Sequence, residues 1–222
     1  MGRLWAVFRK DLLIERRSKA SFNAMAFFGA LILFIFSFAV GADRDLLERA
    51  APGLLWIAIF FTGLLGLGRA FDVERESGGL EALRLYPVDR RAVFLGKWAG
   101  ALVLVLAMEA VLLPVGAILY SLDLWTRLPA LVGVAILGTV GFVTLGTFYA
   151  GLTVNLRARE VMLPLLVLPT LVPVVLGSVK ATSVILLGDP FEELGTWLGL
   201  LAGFDVVYLV VCTLGFEFVM EE

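Results

Sequence analysis

An all-α, polytopic membrane protein with six transmembrane helices is the fold this sequence predicts. Three observations predict it. Of 222 residues, 60% are hydrophobic and 17% charged, against about 45–50% and about 25% in a soluble domain. The apolar residues gather into six runs, about 22–41, 52–71, 98–121, 128–153, 162–186 and 197–218. Each reaches the roughly 20 residues that a helix needs to cross a hydrocarbon core of about 30 Å. The basic residues, finally, are distributed unevenly between the connections.

That unevenness sets the expected orientation. One set of segments holds Arg3, Arg9, Lys10, Arg16, Arg17, Lys19, Arg69, Arg75, Arg84, Arg90, Arg91, Lys97, Arg157 and Arg159, fourteen of the eighteen Lys and Arg. The opposite set holds Arg44, Arg49, Arg127 and Lys180. Both termini are therefore expected in the cytoplasm, on the side of the insert between spans two and three. The first apolar run starts near Phe22, and no small-residue cleavage site follows a short core, so it is read as a retained span.

Composition also excludes functions. The net charge of −2 comes with no basic domain, which argues against nucleic acid as a partner. A single cysteine, Cys212, lies within an apolar run and forms no disulfide framework. The chain has no histidine, hence no example of the commonest metal ligand, general base or haem axial ligand. An intramembrane enzyme is disfavoured, and any metal or cofactor chemistry is assigned to a partner.

Taken in order, the first element is residues 1–21. Leu4, Trp5, Val7, Phe8, Leu12 and Ile14 share one half of a helical wheel, and Arg3, Arg9, Lys10, Arg16 and Arg17 the other, with Leu13 the exception. This is the pattern of an interfacial helix with its basic side toward anionic lipid headgroups. Asp11 and Glu15, four apart, fall on the apolar side, where they would meet a protein surface rather than lipid. Span four carries Gly133, Gly138, Gly141, Gly146 and Gly151, which suit close helix approach in lipid.

Within the spans, Glu109 sits at the centre of span three and Asp205 in span six, the latter read as near the outer interface. Glu217 lies near the end of span six. A charge at mid-bilayer costs at least about 2.5–3.5 kcal/mol, so such residues face a partner or a cavity. Two roles stay open for Glu109 and Asp205: a polar point in a path, or a helix–helix contact. Pro114 is expected to loosen span three. Pro164, Pro169 and Pro173 are expected to bend or break span five, as a gate or discontinuous helix. Residues 177–196 are then an extracytoplasmic link whose apolar middle is too short to span.

The insert at 72–97 carries the most specific signal. Asp72, Glu74, Glu76 and Glu81 are acids that topology does not require on this side. Gly78 and Gly79 permit a sharp turn. Leu80, Leu83 and Leu85 interleave with Glu81 and Arg84, and Tyr86-Pro87 stops the segment. A short amphipathic helix here is either a lever for a docked partner or a solvated connection.

With Glu76, Gly79, Leu80, Glu81, Leu83, Leu85, Pro87, Gly96 and Lys97, this insert resembles the cytoplasmic coupling loop of ABC-2 type transporter permeases. APGLLWIA at 51–58, LTVNLRARE at 152–160, the three-proline fifth span and the ending FDVVYLVVCTLGFEFVMEE are similar to the haem exporter B family, the permeases of the cytochrome c maturation ABC transporter. The resemblance covers nearly the whole chain. It implies a permease in a bacterial plasma (inner) membrane that works with a separate cytoplasmic ABC ATPase, and it assigns ATPase coupling to Glu74, Glu76, Gly79, Leu80, Glu81, Leu83, Pro87 and Lys97. It further implies a second copy of the chain, a haem-handling membrane protein and a periplasmic haem chaperone as partners. No cofactor is expected on this chain: ATP sits on the partner, and haem is the substrate of the complex. The absence of a G-x-x-x-x-G-K-[ST] element agrees with a chain that has no nucleotide site. An ABC-2 permease for another hydrophobic substrate, and a proton-coupled carrier using Glu109, are the competing readings.

Overall fold

The computed structural model describes residues 2–41, 43–76, 90–123, 127–154, 156, 158–188 and 193–219. Among these, seven helices and no strands are found: α1 (Gly2–Ser18), α2 (Ala20–Val40), α3 (Arg44–Glu76), α4 (Arg90–Tyr120), α5 (Leu128–Thr153), α6 (Arg159–Leu187) and α7 (Leu194–Val219). All but α1 are long and apolar enough to cross a membrane. The chain is a multi-pass membrane protein with six spanning helices.

Local chemistry explains the ends. Lys19 adopts a left-handed conformation, with φ 52°, and turns the chain from α1 into α2. The start of α2 is capped from a distance: Phe22 N–H donates to Glu15 Oε1 at 2.9 Å, a carboxylate where the helix dipole favours one. Gly41, with φ 73°, ends α2. Asp43 Oδ1 accepts from Leu46 N–H at 3.0 Å and opens α3. With 33 residues, α3 is about 50 Å long, more than a bilayer core requires.

The helices run alternately up and down. α3, α4 and α5 pack on one another, with α2 against α3 and α4, and with α6 and α7 against each other and α5. α5 is the axis. Its residues 141–147 are all buried, because glycines let neighbours reach its backbone. A methyl on Gly63 of α3 would strike the Phe142 ring, one on Gly146 would strike Leu67, and one on Gly138 would strike Trp56 and Ser178. The bundle therefore meets backbone to side chain, as helices do in lipid where hydrophobic force between them is absent. Outward faces stay apolar: Phe27, Phe34 and Phe38 on α2, Leu165, Val172 and Leu176 on α6, and Val206 and Val210 on α7 are exposed.

Three expectations are corrected. Pro164, Pro169 and Pro173 do not break their span; α6 is one continuous helix of 29 residues that includes all three. A break at this depth would leave backbone groups unpaired in lipid, and packing on α3, α5 and α7 holds the segment helical. The 177–196 link is shorter than expected, since residues 177–187 are the last turns of α6. Gly177 packs on Leu201, and Trp56 Nε1–H donates to Thr182 Oγ1 at 2.9 Å. Asp205 lies near the middle of α7 rather than at an outer interface, and is 5% exposed. Pro114 lies within α4, which runs on to Tyr120.

Gly138→Ala is expected to lower stability by about 1–3 kcal/mol, the usual range for overpacking a filled site. Gly133→Ala, on the same helix with nothing within 4 Å of the added methyl, is expected to be neutral or stabilising. Thermal unfolding midpoints in mild detergent would test the contrast, and equal losses would refute the close approach at Gly138.

Candidate functional site

The basic segments of the chain meet at one end of the bundle, where α1, the C-terminal part of α3, the start of α4, the start of α6 and the end of α7 come together. Among the described residues, three polar clasps hold this end. The first joins α1 to α4: Lys97 Nζ lies 3.1 Å from Asp11 Oδ2, with 2% of the lysine side chain exposed and 21% of the aspartate. The second joins α4 to α7. Arg91 meets both Glu217 carboxylate oxygens, Nε at 2.7 Å and a terminal nitrogen at 3.0 Å, while Arg90 donates to the Glu217 carbonyl oxygen at 2.8 Å. The third joins α6 to α3: buried Arg159 donates to the Gly68 carbonyl oxygen.

Why α1 docks follows from its stripe. Val7, Phe8, Asp11, Leu12 and Glu15 are half-buried, whereas Trp5, Leu13 and Ile14 are exposed. The helix thus offers one flank to α4 and another to lipid. Asp11 and Glu15, the acids on the apolar side, both find protein partners, one an ion pair and one a helix cap. Gly100 makes room for this, since a methyl there would come within 3.4 Å of Asp11 Cβ.

Of the residues assigned to ATPase coupling, Gly79, Leu80, Glu81, Leu83 and Pro87 lie outside the described residues. Glu74 and Glu76 belong to the last turns of α3, continuous with a spanning helix rather than part of a separate insert. Lys97 is corrected in place: it is not on a loop but two turns inside α4, buried, facing α1. The 72–97 segment therefore begins and ends as direct extensions of α3 and α4.

A second polar layer crosses the middle of the bundle. Glu109 on α4 is 1% exposed, and Thr139 Oγ1 on α5 donates to its Oε1. Asp205 on α7 faces α5 at Gly141, two residues along from Thr139. The two acids thus lie at similar depth on different sides of α5, each against a different part of it. Glu109 Oε2 and both Asp205 carboxylate oxygens have no hydrogen-bond partner among the described residues. Trp98 Nε1–H donates to Thr144 Oγ1 at 3.0 Å, a further link from α4 to α5. Among the described residues no group of His, Cys, Asp and Glu could hold a metal ion.

Sequence reasoning missed the Arg159–Gly68 and Arg90–Glu217 contacts and the pairing of Lys97 with Asp11. The signal available for the last was an acid on an apolar helix face together with a lysine immediately before an apolar run. Nothing in the local sequence pointed to Gly68 as the acceptor for Arg159.

Comparison with known proteins adds a family. The family model described as CcmB protein matches residues 2–221. The chain is 35% identical over 175 residues to Heme exporter protein B of Rhodobacter capsulatus, covering 76% of this chain and 77% of that protein. It is 31% identical over 192 residues to Heme exporter protein B of Haemophilus influenzae, covering 83% of each. Against the protein of the same name from Escherichia coli K12 the identity is 31% over 201 residues, 90% of each chain.

Asp11→Asn removes one partner of a largely buried pair and is expected to destabilise the docked α1 by up to about 3–5 kcal/mol, because the buried Lys97 ammonium loses the carboxylate charge it faces. The double variant Asp11→Leu with Lys97→Met should recover most of that loss, since an apolar pair of similar volume tolerates burial. Limited proteolysis after Arg16 or Arg17, together with unfolding midpoints, would register both effects. A double variant as unstable as the single one would contradict a clasp made by this pair.

Proposed function

Because the chain belongs to the CcmB protein family, we propose that it is the membrane permease component of an ABC transporter for haem export in cytochrome c maturation, coupled to a separate ATPase. The observation that carries this reading is the family match across residues 2–221, with relatives called Heme exporter protein B at 31–36% identity. In this reading the basic end of the bundle faces the cytoplasm of a bacterial cell, in accord with the positive-inside rule, and both termini lie there. The spanning helices sit in the plasma (inner) membrane.

The ATPase docks on residues 77–89 and the adjoining ends of α3 and α4. Movement imposed there reaches the bundle by rigid helix, since α3 runs unbroken to Glu76 and α4 starts at Arg90. The clasps spread it: Asp11–Lys97 carries it to α1, and Arg91–Glu217 carries it to α7. The chain itself performs no hydrolysis and binds no cofactor. ATP is held by the partner, and haem is the substrate of the complex. A second copy of the chain, a haem-handling membrane protein and a periplasmic haem chaperone complete the assembly. The clasp geometry supports force transmission, and the family match supports haem as the substrate.

Affinity purification of the tagged chain from native membranes, followed by mass spectrometry, is expected to recover a stand-alone ABC ATPase and haem-handling membrane proteins. Recovery of an ATPase without those proteins would remove haem and keep the permease. Glu81→Lys is expected to abolish c-type cytochrome formation while leaving the amount of membrane-inserted chain unchanged; undiminished cytochrome formation would sink the coupling assignment.

Glu109 is read as a structural contact between α4 and α5, given its burial and its bond from Thr139. Glu109→Gln, which keeps the acceptor oxygen, is therefore expected to retain cytochrome formation within a few-fold of the parent. A loss of more than about tenfold, equivalent to about 1.4 kcal/mol, would revive a proton-carrying role.

A further inference from the structure

Between α1 and the ridge formed by α3 and α4 lies a cavity of about 230 Å³. Its apolar lining comes from Leu12 and Ile14 of α1 and from Leu67, Leu104 and Val105 of α3 and α4. Its charged groups are Lys10, Arg69 and Lys97 against Asp11 and Glu15, three cations and two carboxylates. Both carboxylates are already engaged inside the protein. Asp11 pairs with Lys97 at 3.1 Å and with Lys10 at 3.5 Å, and Glu15 caps α2. Lys10 and Arg69 are exposed, so the rim presents positive charge while the interior presents hydrocarbon.

We propose that this cavity seats the headgroup-proximal part of one acyl chain of an anionic phospholipid, whose phosphate lies on the Lys10 and Arg69 rim. The charge balance selects an anionic head over a zwitterionic one, because the lining carries three cations to two carboxylates and Asp11, although it meets both lysines, leaves the exposed Arg69 to face the headgroup. The apolar interior selects a lipid over a free anion, since a hydrated phosphate has nothing to gain from Leu67, Leu104 and Val105. A volume of about 230 Å³ admits only the part of an acyl chain nearest the headgroup. The position agrees with both: the basic end of the bundle is where a headgroup layer meets it. A lipid seated here shares a wall with the Asp11–Lys97 clasp, so it wedges between α1 and α4 and makes the docking of α1 depend on membrane composition. This inference does not depend on haem or on an ATPase.

The full chain, purified with its co-purifying partners in mild detergent and stripped of lipid, would be titrated with phosphatidylglycerol and with phosphatidylcholine of matched chains, and bound lipid counted by native mass spectrometry. One tightly held phosphatidylglycerol is expected, with phosphatidylcholine weaker. Lys10→Gln with Arg69→Gln, which changes exposed side chains, should weaken phosphatidylglycerol about 10- to 30-fold and bring the two lipids together. Ala101→Leu, which fills the cavity floor without altering charge, should weaken both lipids. Equal binding of the two lipids by the parent chain would overturn the proposal. So would phosphatidylglycerol binding that survives the paired charge substitution, or competition by glycerol 3-phosphate as effective as by the intact lipid. If Ala101→Leu fails to fold, the paired charge variant still decides.

Discussion

Everything in this bundle depends on how closely other helices approach α5. Lipid tails are as apolar as leucine, so no hydrophobic force drives spanning helices together, and association rests on dispersion and hydrogen bonds at short range. Gly138, Gly141 and Gly146 bring Trp56, Val174 and Leu67 to the backbone of α5. Gly63 on α3 does the reciprocal for Phe142. Once those contacts are made, the bonds from Thr139 to Glu109 and from Trp98 to Thr144 fall within reach, and the two intramembrane acids are sheltered from lipid on either side of the same helix.

The basic end is organised by a different force. Here charged and polar groups hold the elements: α1 to α4, α4 to α7, α6 to α3. Exposed and buried members of this set differ in kind. The Arg91–Glu217 pair is bidentate but nearly half exposed, at 46% and 40%, so solvent and salt weaken it. Lys97 is almost wholly buried, so solvent and salt weaken its pairing with Asp11 far less. The same end holds the α1 cavity and the start of the segment to which the proposed function assigns ATPase docking. Between this layer and the opposite surface the chain offers long unbroken helices, which transmit displacement with little loss.

Much of this was legible in the sequence. Six runs of sufficient length and the skew of Lys and Arg require only a bilayer and a translocation bias to become six spans, because backbone groups in hydrocarbon must pair within their own helix. The amphipathic reading of α1, and the anomaly of Asp11 and Glu15 on its apolar side, followed from a 100° periodicity. Of the bend or break that the prolines of α6 suggested, the break is absent: three prolines lower local helix stability, but whether a helix breaks is settled by what packs against it.

The sequence by itself therefore determined the class of molecule, the number of its spans and its family, since each depends on local hydrophobicity or on residue identity along the chain. Only the tertiary structure decided the partners. It decided that Lys97 meets Asp11, that Arg159 reaches Gly68, that Asp205 sits at mid-helix against Gly141, and that α1 leaves a cavity above α3 and α4. Those pairings join residues far apart in the chain, and nothing in a local pattern specifies them. They arise because close approach around α5 fixes the rotation of each helix, and the rotation selects which side chains face one another.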